Sequence, residues 1–542
     1  MQKLFFILFV SVSAFAQKDS ISYKYWIAFT DKNNSNYTVS SPEDFLSDRA
    51  IIRREKQNIP IKIQDLPINS WYADSIQNLG FEILNRSKWF NGVVVASIDS
   101  FLVGETNFSF VDSVFYFGSW TNNKNRQKKN SKFNFEFSKT DYGSALNQLA
   151  MLKGDILHNR DLKGAGKLIA ILDAGFSRVD EMIAFEELFA ENRILGTKDF
   201  VQINNNVFDE HSHGMMVLST MGSENKGQII GTSPEASFWL LRTEDVDSEN
   251  LIEEYNWLCA AEFADSVGAD IINSSLGYTT FDDACQNHTY TDMDGRTAPV
   301  SIAATIAAQK GMIVVNSAGN SGSGSWHFIG APADADSILS VGAVDENADF
   351  AWFSSYGPSF DGRVKPTVVA QGRNTIVATS DNGTLTGNGT SFSSPIVAGL
   401  SACLWEAHPN RTNMEIIDAI IKSAHLHNNP NDSLGFGLPN FALADLLLTE
   451  PRNAEESAVF AIVPNPISAT SFLYVYAANS DAMHMEVYDI RGRKINSSFH
   501  NLSLFTNNQI SLSFLRKYEE GTYLLKVNIG RQEFVEKVIV AE

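Results

Sequence analysis

Between residues 167 and about 448, short apolar runs rich in β-branched residues alternate with longer amphipathic stretches, and residues 168–172, 238–241, 270–274, 312–316 and 338–344 are predicted strands. Strand and helix lengths in alternation predict an α/β domain built on a largely parallel sheet with helices on both faces. Ahead of it, residues 18–118 hold strand-like runs at 23–30, 92–98 and 109–116 and a helical run at 42–55, a small α+β pattern. Residues 122–132 carry Lys124, Arg126, Lys128, Lys129 and Lys132 with no apolar residue until Phe133, so this stretch cannot pack and reads as an exposed linker. A polar stretch at 449–457 ends the α/β alternation. Beyond it only short alternating strands occur, at 485–488, 510–512, 522–527 and 534–540, which predicts a small β-sandwich.

The first residues have another character. Lys3, an apolar run over 4–12 and small residues at Ala14 and Ala16 form a secretory signal, with cleavage expected after about Ala16. The run is well short of the ~20 apolar residues a bilayer span needs, and no other stretch is long and apolar enough, so no transmembrane anchor is expected in the mature chain. The expected organisation is a signal peptide at 1–16, an α+β domain with its basic linker at 17–135, the α/β domain at 136–448, a linker at 449–459 and the β-sandwich at 460–542.

Length and charge narrow the partners. A chain of 542 residues fits two to four domains. Its 63 acidic against 42 basic residues leave a net charge of −21, which repels a phosphate backbone and excludes nucleic acid as an expected partner. Three cysteines allow at most one bridge: Cys259 and Cys285 are either paired or both reduced, and Cys403, in an apolar helix, is expected to pack as a small hydrophobe.

Three segments carry candidate chemistry. The run at 168–172 ends in Asp173-Ala174-Gly175, and groups at the carboxyl ends of such strands face ligands. Asp209-Glu210-His211-Ser212-His213-Gly214 precedes a helix-spaced apolar run; H-x-H lacks the i, i+4 spacing of a helical zinc pair. Gly387-Asn388-Gly389-Thr390-Ser391-Phe392-Ser393-Ser394-Pro395 leads into an apolar helix, placing a hydroxyl at the positive end of a helix dipole, where a developing anion is favoured.

Residues 169–175, His213-Gly214 and 389–395, in the chain order Asp…His…Ser, resemble the three catalytic blocks of the subtilisin-like (subtilase) serine peptidases. Residues 231–236, Ser275-Leu276-Gly277, Ala318-Gly319-Asn320, 341–345 and 353–358 resemble further blocks of that family, so the likeness covers about 164–448. The resemblance implies a secreted serine endopeptidase in which Ser391 attacks the scissile carbonyl, His213 moves the proton, Asp173 orients the imidazole and Asn320 donates to the oxyanion. It also implies that Ser275, Leu276 and Gly277 pair with the substrate backbone while Ser317, Ala318 and Gly319 line the first specificity pocket. His211 is expected to point to solvent or to a neighbouring carboxylate.

By the same resemblance the partners are protein or peptide substrates, and catalysis needs no cofactor. Subtilases often bind structural calcium, for which Asp292-Met293-Asp294-Gly295 offers two carboxylates on a turn. Residues 18–118 resemble the propeptide of such enzymes. Val463-Pro464-Asn465-Pro466, Val487-Tyr488-Asp489, Arg491-Gly492-Arg493, Gly521-Thr522-Tyr523 and Lys537-Val538 resemble the type A sorting domain of type IX secretion, which implies that machinery as a partner and a secreted or cell-surface location reached through the periplasm. Two positions depart from the family pattern: Met215 stands where Thr is usual, and Phe392-Ser393 where Met-Ala is usual. These departures leave a second reading open, a surface binding protein on a weak or inactive subtilase scaffold.

Overall fold

The computed structural model describes residues 21–121, 143–202, 206–449, 458–463, 466–467, 471–477, 482–503, 507–530 and 532–540. The signal-like start and the basic linker lie outside the described residues.

Seven parallel strands form the central sheet, in the spatial order Val368–Gln371, Leu339–Val344, Ile313–Ser317, Ile271–Ser274, Leu168–Asp173, Ser237–Arg242, Ile194–Asp199. Period-two alternation splits the strand Leu168–Asp173 between two cores. Ile169 and Ile171 point to a core shared with helices His213–Gly222 and Thr390–Ala407, and Leu168, Ala170 and Leu172 to one shared with helices Ile252–Val267 and Pro299–Gln309. The expected α/β architecture with helices on both faces is therefore present. Two edge-region strands, Ile194–Asp199 and Val368–Gln371, had no clear sequence signal; the first is half-polar, the second only four residues long.

The N-terminal region is a four-stranded antiparallel sheet, ordered Glu82–Ser87, Gly92–Ser97, Ile21–Phe29, Val111–Thr121, with helices Asp48–Lys56 and Ser70–Asn78. One sheet face buries Tyr25, Ile27, Val93 and Val95 against Tyr72 and Ile76 of the second helix. The opposite face presents Trp26, Val94 and Phe117 to Ile252 and Tyr255, so the α/β domain covers it. The helical run expected at 42–55 is broken: a 3-10 turn at Pro42–Asp44 precedes the α-helix Asp48–Lys56, whose start is capped by the Ser47 hydroxyl accepting from Ala50 N.

Buried ions join the two regions. Asp265 accepts from Arg53 Nη2 at 2.6 Å, from Arg54 Nη2 at 2.7 Å and from Lys88 Nζ at 3.1 Å, with all four side chains buried. One turn earlier Glu262 accepts from Ser87 Oγ at 2.5 Å, Lys88 N at 2.6 Å and Trp89 N at 3.0 Å.

The C-terminal region is a sandwich, as the alternation predicts, of a three-stranded sheet (Ala458–Val463, Phe472–Ala477, Asn507–Ser511) on a four-stranded one (Lys494–Asn501, Ala482–Asp489, Gly521–Ile529, Gln532–Val540). Tyr474 packs it onto Ala442, Leu443 and Leu446 of helix Phe441–Leu448. Among the described residues no helix is long and apolar enough to cross a membrane. Cys259 is buried and Cys285 exposed, and both are free thiols; Cys403 is buried and donates to Thr232 O at 3.1 Å.

Asp265→Ala strands three buried cations, and the full chain is expected to lose about 3–5 kcal/mol of stability, read by urea unfolding. Burial raises the Glu262 carboxyl to about 7, against the opposing pull of Lys88 and of its three donors. From the unfolded value of 4.5 up to about 7, the folded chain holds a proton there that the unfolded chain has released. The interface should accordingly weaken as pH rises through that window and level off above it. Glu262→Gln should flatten the profile, measured as unfolding midpoint against pH.

Candidate active site

Asp173 ends the fully buried strand Leu168–Asp173, and its Oδ1 accepts from Ala174 N at 2.7 Å. His213 is the first residue of helix His213–Gly222 and is 1% exposed. Its Nδ1 lies 2.7 Å from Asp173 Oδ1. A carboxylate only accepts, so Nδ1 carries the proton and Nε2 is left as the basic nitrogen. Two glycines make this approach possible. A Cβ on Gly175, at φ +146°, would stand 2.5 Å from His211 N, and one on Gly214 would stand 2.5 Å from Gly175 O and 2.9 Å from Asp173 Cβ. The Asp-x-Gly and His-Gly spacings are thus requirements of backbone contact.

His211 is tied to the backbone of the helix start. Its Nδ1 accepts the backbone N–H of His213 at 3.2 Å, satisfying one of the amides that a helix start leaves without an intrahelical acceptor. Met215 is buried in the core behind the helix. Phe392 is likewise buried, its ring centroid 6.1 Å from that of His213.

Ser391 is the second residue of helix Thr390–Ala407, and its Oγ lies 3.5 Å from Ser275 O. Pro395, four residues on, has no N–H to give the Ser391 carbonyl, and that carbonyl instead accepts from Ser275 Oγ at 2.8 Å. A proline inside the helix therefore ties the candidate nucleophile's backbone to the segment expected to pair with substrate. Asn320 Oδ1 accepts from Thr390 N at 2.9 Å and Thr390 Oγ1 at 3.0 Å. With its oxygen so engaged, the amide presents Nδ2 on the side of Gly389, where a Cβ would come within 3.6 Å of it.

Ser391 and Asn320 line one cavity of about 420 Å³ together with Ser275, Leu276, Gly277, Ser317, Ala318 and Gly319. All six residues expected to contact substrate thus come together there, while Asp173 and His213 are not among the lining residues. The loop at 321–329 contributes Ser321 and Phe328 to the lining and the block at 353–358 contributes Ser355, whereas sequence reasoning did not single out Gly330, Glu244, Glu249 and Asp282, which also line the cavity. The bridge between Tyr278 and Ala331 brings the loop at 321–330 onto this cavity, a pairing with no local sequence signal. The turn proposed for calcium uses its carboxylates otherwise. Asp292 caps the 3-10 helix Tyr290–Asp292 by accepting from Thr289 N, and Asp294 accepts from Arg296 N and Thr297 N.

A doubly flanked parallel sheet whose strand ends gather an Asp–His pair, a helix-start serine and an amide donor defines the α/β serine hydrolase class of architecture. Residues 164–437 match the subtilase family of S8 peptidases, half of the chain, and the chain belongs to that family. Residues 24–133 match the S8 peptidase propeptide domain of Bacteroidota, and residues 461–541 a secretion-system C-terminal sorting domain. Subtilisin NAT of Bacillus subtilis subsp. natto is 30% identical over 281 residues, which is 51% of this chain and 65% of that protein. Subtilisin DY of Bacillus licheniformis is 29% identical over 292 residues, 53% of this chain and 93% of its own length. The crystal structure of MycP1 with its N-terminal propeptide removed aligns with 57% of this chain and 99% of that one, at 22% identity and a TM-score of 0.44.

Gly214→Ala is expected to push His213 Nδ1 beyond ~3.5 Å from Asp173 while the rest of the sheet stays in place, which a crystal structure of the variant checks.

Proposed function

We propose that the chain is a secreted serine endopeptidase made as a precursor, in which Asp173, His213 and Ser391 hydrolyse peptide bonds through an acyl-enzyme. The observation that carries this is the cavity shared by Ser391, Asn320 and all six expected substrate-contacting residues, together with the buried Asp173–His213 hydrogen bond.

In this reading a peptide enters extended and adds its backbone beside Ser275–Gly277, with the side chain before the scissile bond entering the pocket of Ser317, Ala318 and Gly319. Those small residues and Gly330 leave room for a bulky apolar group. Ser391 Oγ attacks the carbonyl carbon as its proton passes to His213 Nε2, and Asp173 stabilises the resulting imidazolium. The oxyanion accepts from Asn320 Nδ2 and from the Ser391 amide, one of the first four amides of its helix. His213 then protonates the leaving amine. A water, deprotonated by the same nitrogen, releases the acyl group and restores the serine. No step calls for a cofactor, and a structural calcium stays compatible with the reaction.

Residues 1–16 direct export to the periplasm and the sandwich hands the chain to type IX machinery; the N-terminal domain is removed outside by a cut between residues 119 and 146. Met215 and Phe392 replace no catalytic atom and fill the core behind the triad, so no specific observation favours an inactive binding scaffold.

Ser391→Ala should keep the fold and abolish both casein hydrolysis and labelling by a fluorophosphonate probe; a labelled mutant would remove Ser391 as nucleophile. On one chromogenic peptide His213→Ala should lose at least ~10³-fold in turnover and His211→Ala less than ~10-fold, because His211 reaches the reaction only through the backbone of His213. A chain ending at residue 449 should remain active and accumulate in the periplasm, as cell fractionation would register; normal secretion of it would refute the sorting role.

A further inference from the structure

Asp173 and His213 come from different parts of the fold, one ending a buried strand and one starting a helix, so their 2.7 Å contact depends on what holds the two backbones. Asp173 has little hold of its own. Its Oδ1 takes both hydrogen bonds, from Ala174 N and from His213 Nδ1, while its buried Oδ2 meets no donor among the described residues. The aim of the carboxylate therefore follows its strand end. Arg242 stands beside that end: it closes strand Ser237–Arg242, in parallel register with Asp173 on one side and Asp199 on the other, and the next amide, Thr243 N, donates to Asp173 O at 2.9 Å. Ile171 and Leu240 both enter the core of helix His213–Gly222, so by alternation Asp173 and Arg242 leave the sheet on that same face.

The Arg242 side chain is buried and joins two carboxylates. Nη1 donates to Asp199 Oδ2 at 3.0 Å, and Nη2 forms an ion pair with Glu210 Oε2 at 3.2 Å. Asp199 is itself fixed, because its Oδ1 accepts from Val201 N at 2.8 Å and from Gln202 N at 3.0 Å. A planar guanidinium holds its two partners at a set separation, which a compact ammonium does not. Glu210 carries that grip towards His213, three residues on. The backbone at 210–211 lies directly on the turn after Asp173: a Cβ on Gly175 would stand 2.6 Å from Glu210 Cβ, 2.5 Å from His211 N and 2.8 Å from His211 O. His211 Nδ1 in turn accepts from His213 N at 3.2 Å. Burial pushes the Glu210 carboxyl up, and Arg242 is the first charge to oppose that shift. One arginine is thus joined through its backbone neighbour to Asp173 and through its side chain to the segment that leads into His213.

Resting on the peptidase reading above, we propose that Arg242, acting through Glu210, is a positioning residue that sets where the His213 imidazole meets Asp173. Neither Arg242 nor Glu210 is among the residues lining the cavity of Ser391, so the pair acts on the reaction and leaves substrate binding alone. Its loss lowers kcat and spares KM.

The test measures kcat and KM on one chromogenic peptide, counting active sites by fluorophosphonate labelling so that a loss of folded protein does not pass for a loss of rate. Glu210→Ala, at a side chain 25% exposed, should lower kcat per labelled site about 10-fold with KM within about twofold. Arg242→Met should lower it about 30-fold and Arg242→Lys less; adding Glu210→Ala to Arg242→Met should change kcat by less than about twofold, since the two act as one unit. If Arg242→Met strands Asp199 and fails to fold, Glu210→Ala decides alone. A second readout is the His213 Nδ1 proton, which its hydrogen bond to Asp173 deshields and which proton NMR of the full-length protein detects. That signal should move upfield or broaden in Glu210→Ala. An unchanged kcat per labelled site together with an unchanged Nδ1 signal would overturn the inference even where the unfolding midpoint falls, because the pair would then only stabilise the fold. Fully additive losses in the double variant would overturn it too. The NMR signal needs no turnover, so it separates this inference from the peptidase reading. A parent protein that neither cleaves the peptide nor takes the probe, yet whose Nδ1 signal moves in Glu210→Ala, keeps the positioning pair and removes the peptidase; cleavage indifferent to both variants does the reverse.

Discussion

Asp173 and His213 share a hydrogen bond because two stretches of backbone meet where side chains would otherwise stand. The 2.7 Å contact needs the turn after the central strand to lie against the first residue of a helix, and Gly175 and Gly214 are the positions where any Cβ would collide. Helix His213–Gly222 is buried along its whole length, so the imidazole has no room to withdraw. The serine helix packs on the same core and is fixed from the other side by the Ser275 hydroxyl, which fills the place that Pro395 leaves at the Ser391 carbonyl. Geometry at this site is therefore set by missing groups, two Cβ atoms and one N–H, as much as by the groups present.

Helix Ile252–Val267 serves two masters. One face lies on the sheet through Trp257, Leu258 and Ala261, and the other receives the N-terminal domain through Glu262 and Asp265, three residues apart and therefore on one side of the helix. Buried ion pairs add little net stability, because desolvation offsets most of the attraction. Their effect is selective: a partner lacking Arg53, Arg54 and Lys88 would leave Asp265 buried beside no cation. Were the N-terminal domain removed, water would take its place and the same carboxylates would become an ordinary acidic surface. The interface is thus specific while covered and tolerable when bare, as the proposed removal of the N-terminal domain requires.

Much of this was legible in the sequence, and for a physical reason. Five central strands are short and apolar, and each chemical group of the site sits beside the glycine or proline its backbone requires, so motif and geometry coincide. The gaps follow the same logic. Strand Glu82–Ser87 is polar and pairs only along one edge, and helix Ser70–Asn78 exposes Trp71, which blurs its apolar stripe. Asp265 and Glu262 look like a solvated helix face, because their partners lie more than 170 residues away in the chain. Glu244 and Glu249 were hidden likewise: they line the same cavity as Ser391 from more than 140 residues away in the chain.

Phe392 shows how a departure from a family pattern can be read once neighbours are known. A ring directly after Ser391 must find space in a close-packed core, where an added methylene alone can cost stability. The space comes from within the same motif. A Cβ on Gly387 would stand 2.5 Å from the Phe392 ring, while Gly389 serves the different purpose of starting the helix at φ +154°. The two glycines of Gly387-Asn388-Gly389 therefore have separate duties, one to admit the ring and one to turn the chain. The ring in turn lies near the imidazole, its centroid 6.1 Å from that of His213, so this departure from the family pattern is matched by its surroundings.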